Sequence, residues 1–154
     1  MISIKTYSAY FEGFVGRAAE LKSFHLVSNE AQMQSCIRDM PASAFPSLIA
    51  LVPSADSVAQ NVDSILEVNS CLIYVVSKID STTETSASFL ANMDTTQSIL
   101  TQIKNFMLSD RGEHSVFNHL LERVDINGMH TDPEYNYLGA NGWSLSFSIL
   151  TPGF

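Results

Sequence analysis

Apolar side chains recur at i, i+4, i+7, i+8, i+11 and i+14 through Tyr7, Phe11, Phe14, Val15, Ala18 and Leu21. That spacing is one stripe of a helix and predicts an α-helix over residues 3–21. Gly13 and Gly16 each weaken such a helix by about 0.5–1 kcal/mol relative to Ala. Their G-x-x-G spacing marks either a place where another backbone packs closely, the reading favoured, or a simple break in the helix. Phe24-His25-Leu26-Val27 reads as a short extended piece, and Ser28-Asn29-Glu30 supplies an N-cap for a second helix with Met33, Ile37 and Met40 on one face, stopped by Pro41. Leu48-Ile49-Ala50-Leu51-Val52, between Pro46 and Pro53, has the length of a buried strand, placed at 47–52. Residues 54–64 read as polar and turn-like. Cys71-Leu72-Ile73-Tyr74-Val75-Val76 is rich in β-branched and aromatic types and predicts a strand over 69–79.

Farther along, Ser81-Thr82-Thr83-Glu84 has the form of a capping box. Phe89, Met93, Thr96, Leu100, Ile103 and Met107 follow at helical spacing towards Asp110. The predicted helix has roughly 27 residues, about 40 Å at 1.5 Å per residue, and Arg111-Gly112 ends it. Residues 115–121 fit a short helix or the start of a strand. Residues 122–129 alternate imperfectly and read as a further strand, and Asp132-Pro133, Gly139 and Asn141-Gly142 read as turns. Trp143-Ser144-Leu145-Ser146-Phe147-Ser148-Ile149 alternates without a fault. It predicts a strand with Trp143, Leu145, Phe147 and Ile149 towards a core and the three serines facing away. The fold class is α+β: a small mixed or antiparallel sheet of about four strands against a long amphipathic helix and an N-terminal helix.

Composition narrows the picture. The 154 residues suit one domain spanning 1–154, and 45% apolar residues supply its core. Charged residues make up only 16%, while 21 Ser and 9 Thr fill polar positions, so much of the surface suits coverage by other subunits. Sixteen acids against eight bases give a net charge of −8, which repels phosphate backbones and anionic lipid. Sequence-specific nucleic-acid binding is therefore disfavoured. The longest apolar run, Cys71 to Val76, falls short of the roughly twenty residues of a membrane span. No secretory leader is read at Met1-Ile2-Ser3-Ile4-Lys5, and the expectation is a soluble chain made in the cytoplasm. Cys36 and Cys71 lie far apart in apolar stretches and read as buried free thiols.

No motif of catalysis is found. His114 and His119 are five apart, which does not place them on one helix face. Asp125-Ile126-Asn127-Gly128 with Asp132 and Glu134 departs from a calcium loop, since Gly128 falls early and Asn136 stands where a bidentate Glu belongs. The G-x-S-x-G elbow and the phosphate-binding glycine loops are absent. Asp132 and Glu134 read as loop acids. The expectation is a protein that is not an enzyme and holds no metal or cofactor.

The element order, the length and the closing Gly142-Trp143-Ser144-Leu145-Ser146-Phe147-Ser148-Ile149 resemble the tail-terminator or tail-completion proteins that join head to tail in bacteriophages and related contractile systems. The resemblance implies an α+β subunit that closes into a homo-oligomeric ring, typically a hexamer, capping the tail tube and meeting neck or connector proteins. It implies a virion location after assembly in the host cytoplasm, with DNA passing through the ring, and no catalytic residues. The departure from the family is the 125–141 excursion, 17 residues long. Connections beyond about 12–15 residues in compact domains are usually functional or disordered. Tyr135, Tyr137 and Leu138 within it are the candidate subunit-interface residues, because tyrosine combines a large apolar ring with a water-tolerant hydroxyl. The competing reading is a small acidic α+β module that binds a ligand or peptide, which needs a concave pocket with convergent polar groups.

Overall fold

The computed structural model describes residues 1–61, 64–112 and 118–153. The N-terminal stripe forms two helices: α1 (Ile4–Glu12), capped by the Ser3 hydroxyl, and α2 (Phe14–Arg17), with the break at Gly13 and extended backbone from Ala18. The stripe was a sound guide to burial, since Tyr7, Phe11, Phe14, Ala18 and Leu21 are all buried. It overestimated helix length. The close-packing reading of the glycines fails at Gly16, where an added Cβ meets nothing within 4 Å.

Strand β1 (Ser23–Val27) leads into α3 (Glu30–Asp39), whose N-cap is Asn29. Strand β2 (Ser47–Leu51) follows. The polar stretch after it is strand β3 (Ser54–Asn61), not a turn, and β4 (Ser64–Lys78) is longer than its apolar run suggested. Helix α4 (Ser86–Gly112) has 27 residues, as its spacing required. Its cap is not the Ser81–Glu84 box. Thr85 and Ser88 bond reciprocally instead, the Ser88 N–H to Thr85 Oγ1 at 3.1 Å and the Thr85 N–H to Ser88 Oγ at 2.8 Å. The described part of 115–121 is helical, α5 (Asn118–Leu121), while His114, Val116 and Phe117 lie outside the described residues.

The strand expected over 122–129 is replaced by a turn and a single bridge, Val124 to Ile149. Asp125 Oδ1 accepts the N–H groups of Asn127 and Gly128, which curls the chain there. The 125–141 excursion is then mostly strand β5 (His130–Tyr137), with Asp132-Pro133 inside it. Leu138 and Gly139, both at positive φ, form the connecting turn to β6 (Ala140–Pro152).

The sheet has six strands, more than the four expected, in the order β1-β2-β4-β6-β5, with β3 also on β4. Only β1 and β2 pair in parallel, so the sheet is mixed. Alternation along the strands divides two cores. On one face Leu48, Ala50, Ile73, Val75, Leu145, Phe147 and Ile149 meet α1, α2, α4 and α5. On the other, Val27, Ile49, Tyr74, Val76 and Ala140 meet Met33, Ile37 and Met40 of α3 and the segment after it. Trp143 is half-buried on the first face, and its indole N–H donates to the Met93 carbonyl of α4 at 3.0 Å. Asn141-Gly142, expected as a turn, lies within β6. A Cβ on Gly142 would stand 2.9 Å from Val76 Cα, so only glycine lets β4 and β6 approach there. No helix among the described residues is long and apolar enough to cross a membrane.

Candidate interaction surface

The three residues singled out in the sequence do not form one patch. The break in the β5 register between Glu134 and Tyr137, where Asn136 takes a positive φ, carries Tyr135 to one face of the sheet and Tyr137 with Leu138 to the other. Tyr135 is 70% exposed and meets Phe89 of α4 edge-on, ring centroids 5.4 Å apart. Leu90, the next residue of that helix, is 67% exposed. Aromatic surface therefore stands in water where the β5–β6 hairpin meets the start of α4, beside a shallow cleft lined by Glu84, Thr85 and Ser86.

Tyr137 and Leu138 pack within the chain. The Tyr137 ring stacks on Tyr74 at 5.5 Å, and its hydroxyl donates to the Glu30 carboxylate of α3. Burial, together with the Glu30 and Tyr74 hydrogen bonds, raises the Tyr137 pKa well above the usual phenol range. This hydroxyl stays protonated and fastens the hairpin to α3. Leu138 packs against the second core. Asn141 completes the brace: its Oδ1 accepts the Asn136 N–H at 2.7 Å and its amide donates to Glu84 at 2.8 Å. Removing 135–138 would thus dismantle a packed hairpin, not trim a loop.

The second core does not extend over the whole of its face. Beyond Leu72, the side chains of Leu66, Val68 and Leu150 are half-buried, Ser70 is exposed, and Val52 and Val58 are 37% and 46% exposed. Ser146 and Ser148 lie on the same face, as the alternation required. Ser144 shares it but is buried, because its hydroxyl donates to Glu134 Oε1 at 2.7 Å. The result is a sheet surface of hydroxyls and aliphatic side chains. No sequence signal marked it, since 54–61 did not read as strand.

No protein-family model matches the sequence, and no curated protein matches it.

Asp132 Oδ1 lies 3.0 Å from His130 Nε2 and accepts its N–H on the exposed side of β5, and both stay in contact with water. Among the described residues no three His, Cys, Asp or Glu side chains are grouped to hold a metal ion. Cys71 is buried, and burial pushes its thiol up to about 12, which favours the protonated thiol. Cys36 is only half-buried, a correction to the expected burial, and its pKa is also raised by burial and by Asp39.

Proposed function

We propose that this chain is a virion structural protein resembling a tail terminator, a ring-forming subunit at the head-proximal end of a phage tail tube that joins the tube to the neck. What supports the reading is the element order, ending in the strand Gly142–Ile149 that the sequence resemblance rests on. The observation that carries it is the half-bare sheet surface around Leu66, Val68, Leu72 and Leu150, with Val52 and Val58 at its margin. Partly exposed aliphatic side chains gathered on one sheet face suit an interaction site, and a neighbouring subunit or tube protein would exclude water from them. Tyr135 with Phe89 is a second point of contact on the opposite face. The acidic balance lets DNA pass without phosphate binding.

The test is to remove the chain's gene from the virus that encodes it and examine particles by electron microscopy. Heads without joined tails, or tails of uncontrolled length, are expected. Normal particles would sink the reading. Tyr135→Ala should leave the fold intact by circular dichroism and lower the yield of joined particles.

A ligand- or peptide-binding module is the second reading. It is favoured by a cavity of about 530 Å³ between α3 and the hairpin turn, lined by Gln34, Ile37, Arg38, Asn136 and Leu138. Light scattering separates the two, because a binding module has no need of a ring.

A further inference from the structure

The side of the sheet bounded by β1 is stepped. β1 lies outside β2 and stops with Val27 opposite Leu51. β3 continues the line of β2 along β4, from Ser54 opposite Ser70 to Asn61 opposite Ser64. No strand among the described residues pairs with the other side of β3. The edge therefore projects by one strand along β2 and is set back by one strand along β3. Bare strand edges carry outward N–H and C=O groups that template another strand, and folded proteins usually blunt them with Lys, Pro or bulges. At the opposite side of the sheet β5 is blunted by Pro133 and by the charges of Asp132 and Glu134. Along β3, Ser54 to Ala59 contain no Pro or Lys and a single charge, Asp56, and the register shifts only after Ala59.

We propose that the recess beside β3 takes β1 of a second copy of this chain, the two copies related by a two-fold axis normal to the sheet. Rotation of the stepped edge about that axis sets the projecting β1 of each copy against the recessed β3 of the other. Both β2 and β3 run antiparallel to β4, and β1 runs parallel to β2. The rotated β1 consequently meets β3 antiparallel, the more stable ladder. The step favours a second copy over a foreign peptide, because a peptide in the recess would leave the outer edge of β1 bare, whereas the two-fold pair covers both. Charge does not oppose this: β1 contains no Asp, Glu, Lys or Arg, β3 carries only Asp56, and the pairing sets no like charges together. Helices pack on both faces of β1, yet Ser23, Phe24, His25 and Leu26 are each only half-buried. Two five-residue ladders supply about ten hydrogen bonds, the number found in a typical interface. Such a contact closes at two copies, so it goes beyond the ring reading and is independent of it.

The experiment uses the full chain. Light scattering across a concentration series should reach twice the 16.9 kDa chain mass. Amide exchange at 23–27 and 54–61 should slow by about tenfold in the concentrated sample relative to the dilute one. Asp56→Lys, which leaves the β3–β4 ladder in place and gives the edge the charge by which folded proteins blunt one, should weaken the dimer by about tenfold or more. A monomer at the highest soluble concentration overturns the pairing, as does a dimer protected at other strands. A six-copy ring with β1 and β3 still exchanging fast also overturns it while leaving the ring reading intact. Normal particles without the chain would end the ring reading and leave the dimer untouched.

Discussion

Asp110 shows what one side chain does in this fold. It lies in the last turn of α4, where a negative charge opposes the helix dipole, and it is 7% exposed. Arg17 offsets both costs with two bonds, Nη1 to Oδ2 at 2.6 Å and Nη2 to Oδ1 at 2.9 Å, and Tyr10 adds its hydroxyl at 2.9 Å. The guanidinium lies over the Phe106 ring at 4.5 Å, so the pair ties α1 and α2 to α4 through an aromatic layer. Burial works to raise the Asp110 pKa, but the Arg17 and Tyr10 bonds outweigh it and the net shift is downward. A depressed folded pKa contributes stability that is present above the unfolded value of 3.8 and is lost as pH falls through the folded value. Asp110→Asn should therefore cost roughly 1.5–3 kcal/mol at pH 7, the range for hydrogen bonds to charged groups. It should also flatten the acid limb of a stability-versus-pH curve measured by urea unfolding. An unchanged limb would mean that other carboxylates govern acid unfolding.

At the scale of elements, the caps distinguish pattern from use. Ser81-Thr82-Thr83-Glu84 has the capping-box form, yet Thr82 bonds Asp80 in a local turn and Glu84 bonds Asn141. Thr85→Ala should cost about 0.5–2 kcal/mol in chemical unfolding, as N-cap losses do. Ser81→Ala should stay within about 0.5 kcal/mol, and the reverse order would restore the box. The same contrast explains which elements were legible. α4 and β6 turn an apolar face to the helix-covered core, so their period survives in the sequence, and β2, buried on both faces, survives as an unbroken apolar run. β3 and β5 do not: Ser-Ala-Asp-Ser-Val-Ala-Gln-Asn is a strand because β4 lies beside it, and β5 tolerates Pro133 because it is an edge. The hairpin turn was hidden for a related reason. Asn-Gly usually marks a two-residue turn, but Asn141 is kept for its bonds to Asn136 and Glu84, and Gly142 for the approach to β4. The turn itself uses Leu138 at positive φ, held by packing on the second core. Tyr137 and Leu138, read from the sequence as subunit-interface candidates, make their contacts inside the chain.

For the whole molecule the decisive asymmetry is that helices line one face of the sheet broadly, while α3 covers the other only above Leu72. Adjacent residues of β6 sample the two environments. Leu145 is fully buried among Ile73 and the α4 side chains, whereas Ser146, one residue on, points to the half-bare face and its hydroxyl reaches the His130 carbonyl at 3.5 Å. Leu145→Ala removes buried methyl groups and leaves a cavity, and should lower unfolding stability by about 2–5 kcal/mol. Ser146→Ala removes one exposed hydrogen bond and should change it by about 0.5 kcal/mol or less. Denaturant unfolding of the dilute chain measures both. Repeating Ser146→Ala at concentrations where copies associate turns the pair into a probe of assembly: a cost that grows with concentration means that the face around Ser146 is covered by another subunit. A cost that stays constant means that this face remains in water even in the associated protein.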